Sequence, residues 1–249
     1  MHPILFQIGP VTIYTYGVFV ATAFLAVFYL LYKEAGRVNF YPGKILDLEL
    51  IMLLCGIIGA RLLHVLVNLA FYKESPMDIF LIWKGGLAFY GGLILSMIAS
   101  WIYIKKIGLP LWRTADLIAP YLALGQSIGR IGCFLNGCCF GKPSGVLALG
   151  VMFPGDIVYR YPTQLYASFT LLCIFIILRF TQKKPPFSGF VFLFYIMLYS
   201  LQRFFMDFLR GDTPHYFLSL TVSQIISVLF FALAVIFMLC IRKAGNERI

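Results

Sequence analysis

The residues with the most chemical character fall in one glycine-rich run, Gly125-Gln-Ser-Ile-Gly-Arg-Ile-Gly-Cys-Phe-Leu-Asn-Gly-Cys-Cys-Phe-Gly141. Five glycines in 17 residues argue against a regular helix, since each costs about 1 kcal/mol relative to Ala. They predict tight turns and close backbone approach. Arg130 stands among them. A buried guanidinium cannot deprotonate and needs an anion beside it. No Asp or Glu lies between Asp116 and Asp156, so an external anion is the natural partner, and a phosphodiester suits the guanidinium fork. The plainer alternative is that Arg130 snorkels to the interface while Gly125 and Gly129 form a small-xxx-small packing face.

A second group is Tyr199, Arg203, Asp207 and Arg210. Steps of four, four and three place them on one face of a helix. Asp207 can pair with Arg203 or Arg210, but one carboxylate cannot neutralise two guanidinium groups, which leaves one arginine for a ligand. A structural ion-pair ladder at a helix end is the competing reading. Gly85-Gly-Leu-Ala-Phe-Tyr-Gly-Gly92 combines paired glycines with Tyr90, and serves either ligand approach or helix packing. Tyr16 and Tyr166 are aromatic residues of the kind found at membrane interfaces. Arg61 lies between Glu49 and His64 in sequence and is expected to pair with backbone or a carboxylate. Cys133, Cys138 and Cys139 form the one cysteine cluster. A zinc site would need a second ligand pair, which is missing; adjacent Cys138 and Cys139 could bridge each other only with strain. No metal and no cofactor are expected.

The elements that must position these groups follow from composition. Of 249 residues, 61% are hydrophobic and 12% charged, with a mean hydropathy of +0.90. A soluble domain has about 45–50% apolar and about 25% charged residues. With 25 Phe and 15 Tyr, disorder is excluded as well. About seven apolar segments emerge, at 13–32, 45–70, 87–104, 115–134, 165–180, 187–208 and 217–241, each near the ~20 residues a membrane helix needs. The expected fold is an all-α polytopic membrane protein, one integral domain over 1–249, with a small extracytoplasmic cap at 142–164.

The net charge of +10 does not point to nucleic acid, because most basic residues cluster between apolar segments as orienting charges do. Twelve lie on one side: Lys33, Arg37, Lys44, Lys105, Lys106, Arg113, Arg179, Lys183, Lys184, Arg242, Lys243 and Arg248. Seven lie on the other: Lys73, Lys84, Arg130, Lys142, Arg160, Arg203 and Arg210. The positive-inside rule then sets the N-terminus outside and the C-terminus in the cytoplasm. No cleavable signal peptide is evident, because residues 1–10 hold neither Lys nor Arg. Arg130, Arg203 and Arg210 fall at outer ends of spans, which puts the reactive surface on the outer leaflet side.

Between Gly129 and Gly141 the chain resembles the prolipoprotein diacylglyceryl transferase family, whose signature reads approximately G-R-x-G-N-F-x-N-x-E-x-x-G. Gly129, Arg130, Gly132, Phe134, Asn136 and Gly141 match it in order. Ile8-Gly-Pro10 with Tyr16-Gly17, Gly59-Ala-Arg61, Gly85 to Gly92, Ala115-Asp-Leu-Ile-Ala-Pro120, Pro162-Thr-Gln-Leu-Tyr166 and Arg203-x₃-Asp-x₂-Arg210 extend the resemblance along nearly the whole chain. It implies transfer of a diacylglyceryl group from phosphatidylglycerol to the lipobox cysteine thiol of prolipoproteins, with a thioether formed and glycerol-1-phosphate released, in a bacterial inner membrane. The implied partners are phosphatidylglycerol, prolipoprotein signal-peptide and lipobox segments, and membrane lipids, with no nucleic acid. The resemblance implies Arg130 and Arg203 as the catalytic pair, and Tyr90, at the position of a family histidine, is the further catalytic candidate, for contact with the glycerol or thiol. The resemblance also implies Tyr16, Gly129, Asn136, Gly141, Gln164, Tyr166, Tyr199, Asp207 and Arg210 as substrate-binding.

The chain departs from the family pattern at several positions. The signature's first Asn and its Glu are Cys133 and Cys138 here, the third-span histidine is Tyr90, a second histidine is Tyr161, and a glutamate is Ala167. His2, His64 and His215 match neither histidine position, so no imidazole base comes from either. Two other classes stay open on the residues alone. A lipid or anion transporter or flippase also keeps intramembrane arginines, although no repeat symmetry is visible. A membrane thiol redox protein would use Cys133, Cys138 and Cys139.

Overall fold

The computed structural model describes residues 1–8, 11–82, 85–146, 150–211, 215–217 and 220–246. Gly9, Pro10, Lys84 and Arg248 lie outside the described residues, as do the side chains of Arg242, Lys243 and His215. A hairpin of β1 (Ile4–Ile8) and β2 (Val11–Tyr14) leads into α1 (Thr15–Arg37), α2 (Pro42–Val67) and the short α3 (Leu69–Glu74). A 3₁₀ turn at Pro76–Phe80 precedes α4 (Phe89–Lys106) and α5 (Leu111–Asn136). After the two-residue strands β3 (Val151–Met152) and β4 (Tyr159–Arg160) come α6 (Thr163–Gln182) and α7 (Phe190–Leu209). A small hairpin of β5 (His215–Phe217) and β6 (Leu220–Thr221) then opens α8 (Val222–Asn246).

Five helices are long and apolar enough to cross a membrane, namely α1, α2, α6, α7 and α8 (over Val222–Ile241). They present large side chains outward that water would reject, such as Leu25, Leu54, Phe169, Phe180 and Leu239, each more than half exposed. Lipid is the solvent for such a surface, because only helices or closed barrels satisfy their own backbone groups in hydrocarbon. The chain is a mainly helical, multi-pass membrane protein.

Two compact units are present, one of residues 1–30 and 115–249 and the other of 31–114. In the smaller unit α2 and α4 run antiparallel in very close contact. A Cβ on Gly59 would strike the Gly91 carbonyl, and a Cβ on Gly91 the Gly59 carbonyl. Gly92 is held 2.6 Å (from its would-be Cβ) off the Gly56 carbonyl oxygen. Small residues of this kind let membrane helices pack by van der Waals contact where no hydrophobic force separates them from lipid. Gly91 and Gly92 thus serve helix packing. Arg61 is buried and donates to the carbonyls of Ile79 (2.9 Å), Gly85 (2.6 Å), Gly86 (3.0 Å) and Asp78. Its guanidinium also lies 5.3 Å from the Tyr72 ring centroid. Backbone carbonyls therefore satisfy this intramembrane charge, as its sequence position suggested.

In the larger unit Ala119, Ala123, Leu171, Ile174, Leu178, Val191 and Tyr195 form the core among α5, α6 and α7. Ser127 and Ser168 lock α5 to α6, each hydroxyl donating to the other's carbonyl at 2.8 and 2.9 Å. Asp116 accepts the amides of Gly189 (2.6 Å) and Phe192 (2.9 Å). It supplies, from α5, the carboxylate that the open amides of the α7 N-terminus need.

Two expectations are corrected here. The Gly125–Asn136 stretch is regular helix, not turns. Its glycines lie at steps of four and three, and a Cβ on Gly132 would stand 2.8 Å from Phe19 Cβ, one on Gly125 3.3 Å from Val27 Cγ2. Close packing on α1 thus offsets the intrinsic penalty of glycine. Arg210 is not on the α7 face with Tyr199, Arg203 and Asp207. It is the first residue beyond the helix, extended at φ −81°, ψ 141°, and its backbone bridges to Gly141.

Candidate active site

The site is assembled from three helix ends of the larger unit. At the close of α5, Gly137 adopts φ 75°, which glycine permits without a Cβ penalty. The amide of Gly137 donates to Phe134 (3.1 Å) and that of Cys138 to Cys133 (3.2 Å). This is a Schellman termination, which folds the chain back on the last turn and juxtaposes the residues at Cys133 and Cys138. Cys139 continues the reversal at φ 63°. Its carbonyl accepts from Thr163 Oγ1 (2.9 Å), and the Cys138 carbonyl accepts from Gln164 Nε2 (2.6 Å). Both donors sit in the first turn of α6. Gly141 completes the docking, since a Cβ there would lie 2.6 Å from the Leu209 carbonyl oxygen and 2.9 Å from the Thr163 and Tyr161 side chains. The loop is therefore pinned between α6 and the end of α7.

From α7, Arg203 points its Nη2 at Asp207 Oδ1 (3.1 Å) and donates to Ser223 Oγ (3.2 Å). The contact with Oδ1 is an ion pair by distance without hydrogen-bond alignment, because that oxygen has no hydrogen-bond partner among the described residues. The other carboxylate oxygen of Asp207, wholly buried, accepts from Thr221 and Ser223. These hydroxyls sit where they do because α8 begins with a capping box. The Gln224 amide donates to Thr221 Oγ1 (3.1 Å), and Gln224 Oε1 accepts the Thr221 amide (2.9 Å). A helix cap thereby orients the carboxylate that orients an arginine.

Arg130, Arg203 and Arg210 face one small, open cavity, lined also by Cys139, Thr163, Ala167, Gln202 and Met206. Its wall carries three guanidinium groups and, among the described residues, no carboxylate. Among the described residues Arg130 forms no ion pair, while Asp207 is committed to Arg203. Arg130, Tyr199 and Arg210 all lie within electrostatic range of Arg203, and Tyr16 within that of Arg130 and Cys133. Such a concentration of fixed positive charge in low dielectric binds an anion and stabilises any increase in its charge.

Of the three thiols, Cys139 belongs to the same wall. Cys133 lies within electrostatic range of Cys139, and Cys138 Sγ donates to the Cys133 carbonyl at 3.6 Å. Interaction with Cys133 holds the Cys139 thiol well below its ordinary range; burial opposes this, and the guanidinium groups of Arg210 and Arg130 assist it. Burial pushes the Cys138 thiol up.

Of the residues singled out in the sequence, the structure brings Arg130, Arg203 and Arg210 together, with Gly129, Asn136, Gly141, Gln164, Tyr199 and Asp207 on the same helix ends and loop. Gly129 has no neighbour within 4 Å of a would-be Cβ, so it faces open space rather than a helix. Gln164 and Gly141 hold the loop. Asp207 pairs with Arg203. Tyr166 lies in the first turn of α6 beside Thr163 and Gln164. Tyr90 belongs to the other unit, as the second residue of α4, and is 53% exposed. Thr163, Gln202, Met206, Thr221 and Ser223 escaped the sequence reading. The Thr221-Val-Ser-Gln224 box was a legible signal; the others carry none.

Fold and site together define a class: a multi-pass helical membrane protein with an arginine-lined cavity. The chain belongs to the prolipoprotein diacylglyceryl transferase family, whose sequence profile matches residues 3–240. A phosphatidylglycerol–prolipoprotein diacylglyceryl transferase of Clostridium tetani is 36% identical over 235 residues, covering 92% of this chain and 93% of its own. The protein of that name in Oceanobacillus iheyensis is 33% identical, with 97% and 88% covered. That of Streptococcus uberis is 35% identical, with 98% and 96% covered.

Proposed function

We propose that this protein transfers the diacylglyceryl group of phosphatidylglycerol to the lipobox cysteine thiol of prolipoproteins, forming a thioether and releasing glycerol-1-phosphate. The observation that carries the reading is the cavity wall shared by Arg130, Arg203 and Arg210, in a chain of this family. The acceptor sulfur attacks the glycerol carbon and the carbon–oxygen bond to phosphate breaks. The phosphodiester, with one negative charge, becomes a monoester approaching two. Arg130 and Arg203 stabilise the added charge without taking part in proton transfer. The acceptor supplies the nucleophile, so the enzyme needs none of its own. Tyr16, Tyr199 and Tyr166 are assigned to lipid and peptide contact, and Gly129 and Asn136 to the open face near Arg130. Tyr90 is assigned to the reaction by its motif position.

Purified protein mixed with a lipobox peptide and phosphatidylglycerol vesicles is expected to add a diacylglyceryl mass to the peptide. Lipid movement between leaflets with no such adduct would establish a flippase instead.

The proposed architecture is seven spans, counting α4 and α5 with the five most apolar helices, in one integral domain over 1–249 with a cap at 142–164. In the cap region β3 pairs with β4, Phe134 meets Phe153 edge-to-face and Phe140 meets it at a tilt, and Asp156 accepts from Arg160 at 2.6 and 3.1 Å. The Arg160 guanidinium holds the Asp156 carboxyl below its usual range. By charge placement the N-terminus is outside, the C-terminus cytoplasmic and the membrane a bacterial inner membrane. An alkaline phosphatase fused after the C-terminus should be inactive and one inserted within 145–154 active. The reverse pattern would overturn the orientation.

A further inference from the structure

We propose that Ser223, the second residue of α8, is a positioning residue for the transfer reaction: its hydroxyl keeps the Arg203 guanidinium from closing onto Asp207 and so leaves it presented to the anion. The proposal rests on the reading of the arginine cavity as the transfer site. Ser223 is not among the residues that line the cavity, so it acts through Arg203.

The hydroxyl makes two bonds of opposite sense. Ser223 Oγ donates its one proton to Asp207 Oδ2. What it turns to Arg203 is therefore a lone pair, and Arg203 Nη2 donates to it at 3.2 Å. The same Nη2 stands 3.1 Å from Asp207 Oδ1, yet that buried oxygen has no hydrogen-bond partner among the described residues. A guanidinium and a carboxylate so close favour two parallel, charge-assisted hydrogen bonds. They do not form here because the hydroxyl engages both groups. Asp207 Oδ2 is taken by Ser223 and Thr221, and Nη2 is aligned on Ser223. Nε and Nη1 of Arg203 then bond to no described residue, and the side chain lines the cavity.

The first turn of α8 holds Ser223 in place. Thr221 Oγ1 accepts the Gln224 amide at 3.1 Å, and the Ser223 carbonyl accepts from Ser227 Oγ at 2.7 Å. Without the Ser223 hydroxyl, Nη2 is released to align on Asp207 Oδ1, and the guanidinium tilts away from the phosphate. The loss is greatest where the anion carries most charge. The phosphodiester binds with one negative charge and approaches two as its carbon–oxygen bond breaks. An interaction that strengthens in this way lowers kcat and kcat/KM together when it is lost, with KM little changed.

The test uses the full chain in nanodiscs of varied phosphatidylglycerol content with a lipobox peptide. A second measurement titrates glycerol-1-phosphate into the protein in phosphatidylcholine nanodiscs, where no turnover occurs. In Ser223→Ala, kcat should fall about tenfold or more, KM should change little, and glycerol-1-phosphate should bind more weakly. Ser223→Thr keeps the donor and the lone pair and should recover both. Thr221→Ala removes the helix cap and the other donor to Asp207 but no contact with Arg203. It should therefore melt below Ser223→Ala while keeping a higher kcat. Parental kcat and affinity in Ser223→Ala, or a loss carried by KM alone, overturns the proposal. So does a kcat defect in Thr221→Ala as large as that of Ser223→Ala, or no recovery in a Ser223→Thr that melts with the parent. A parent that transfers nothing overturns the assigned reaction instead, and the titration still decides for Ser223. A parent that binds no glycerol-1-phosphate overturns both.

Discussion

Arg130→Ala and Arg203→Ala should each reduce transfer by about 10²–10³-fold or more, Arg130→Ala with the fold intact and Arg203→Ala with an added loss of stability, because it leaves the buried Asp207 without its cation. The reason is the balance of charge in the cavity: three guanidinium groups line it, and Asp207, which pairs with Arg203, is also held by two hydroxyls. Arg130 has no ion-pair partner among the described residues, so removing it costs the fold little and the developing phosphate charge much. Arg130→Lys should also fail badly, because a compact ammonium cannot reproduce the two-pronged contact of guanidinium with phosphate. The measurement is single-turnover transfer with a lipobox peptide, alongside a thermal melt in detergent. A lysine variant with near-parental activity would show that only charge, and not a phosphate fork, is required at this position.

Asp207→Ala is expected to give the largest combined loss of stability and activity. Asp207 is completely buried, faces Arg203 at 3.1 Å, and accepts from both Thr221 and Ser223. Breaking a buried pair by removing one partner costs about 3–5 kcal/mol, because the other charge remains in a poor solvent. The Arg203 side chain is only 21% exposed, so water compensates little. Two hydroxyls also lose their acceptor at about 1–3 kcal/mol apiece at most. Asp207→Asn keeps the shape and one acceptor oxygen, and should melt between the parent and the alanine variant while still misplacing Arg203. An alanine variant that melts with the parent would remove Asp207 from its assigned role in holding α7 to the start of α8.

The contrast between Asp207 and Arg130 also marks how far sequence reasoning reaches. Periodicity placed Arg203 and Asp207 one turn apart, and their ion pair follows from helix geometry alone. It could not choose between Arg203 and Arg210 as the partner. That choice is made where α7 ends: Arg210 leaves the helix, and its backbone joins Gly141. The same limit applies to the glycine-rich run. Local propensity argues for turns across 125–136, yet the segment is helical, because Phe19 and Val27 of α1 fill the space side chains would need. Propensity is a difference of about 1 kcal/mol per residue, which contacts from a distant helix outweigh.

What the sequence determines by itself is what depends on composition and short-range spacing. The bilayer requires long apolar helices, so hydropathy alone identifies a membrane protein. Arg130 and Arg203 stand out because ionisable groups are costly there and need a use. The ordered motifs from Tyr16 to Arg210 carry the family. Only tertiary structure decides which charges meet, because the cavity joins the ends of α5, α6 and α7 across more than sixty residues of chain. The Schellman turn that gathers Cys133, Cys138 and Cys139, and the Thr163 and Gln164 donors that pin them, come from different segments. Contacts between such segments depend on how helices dock, and no local pattern encodes that.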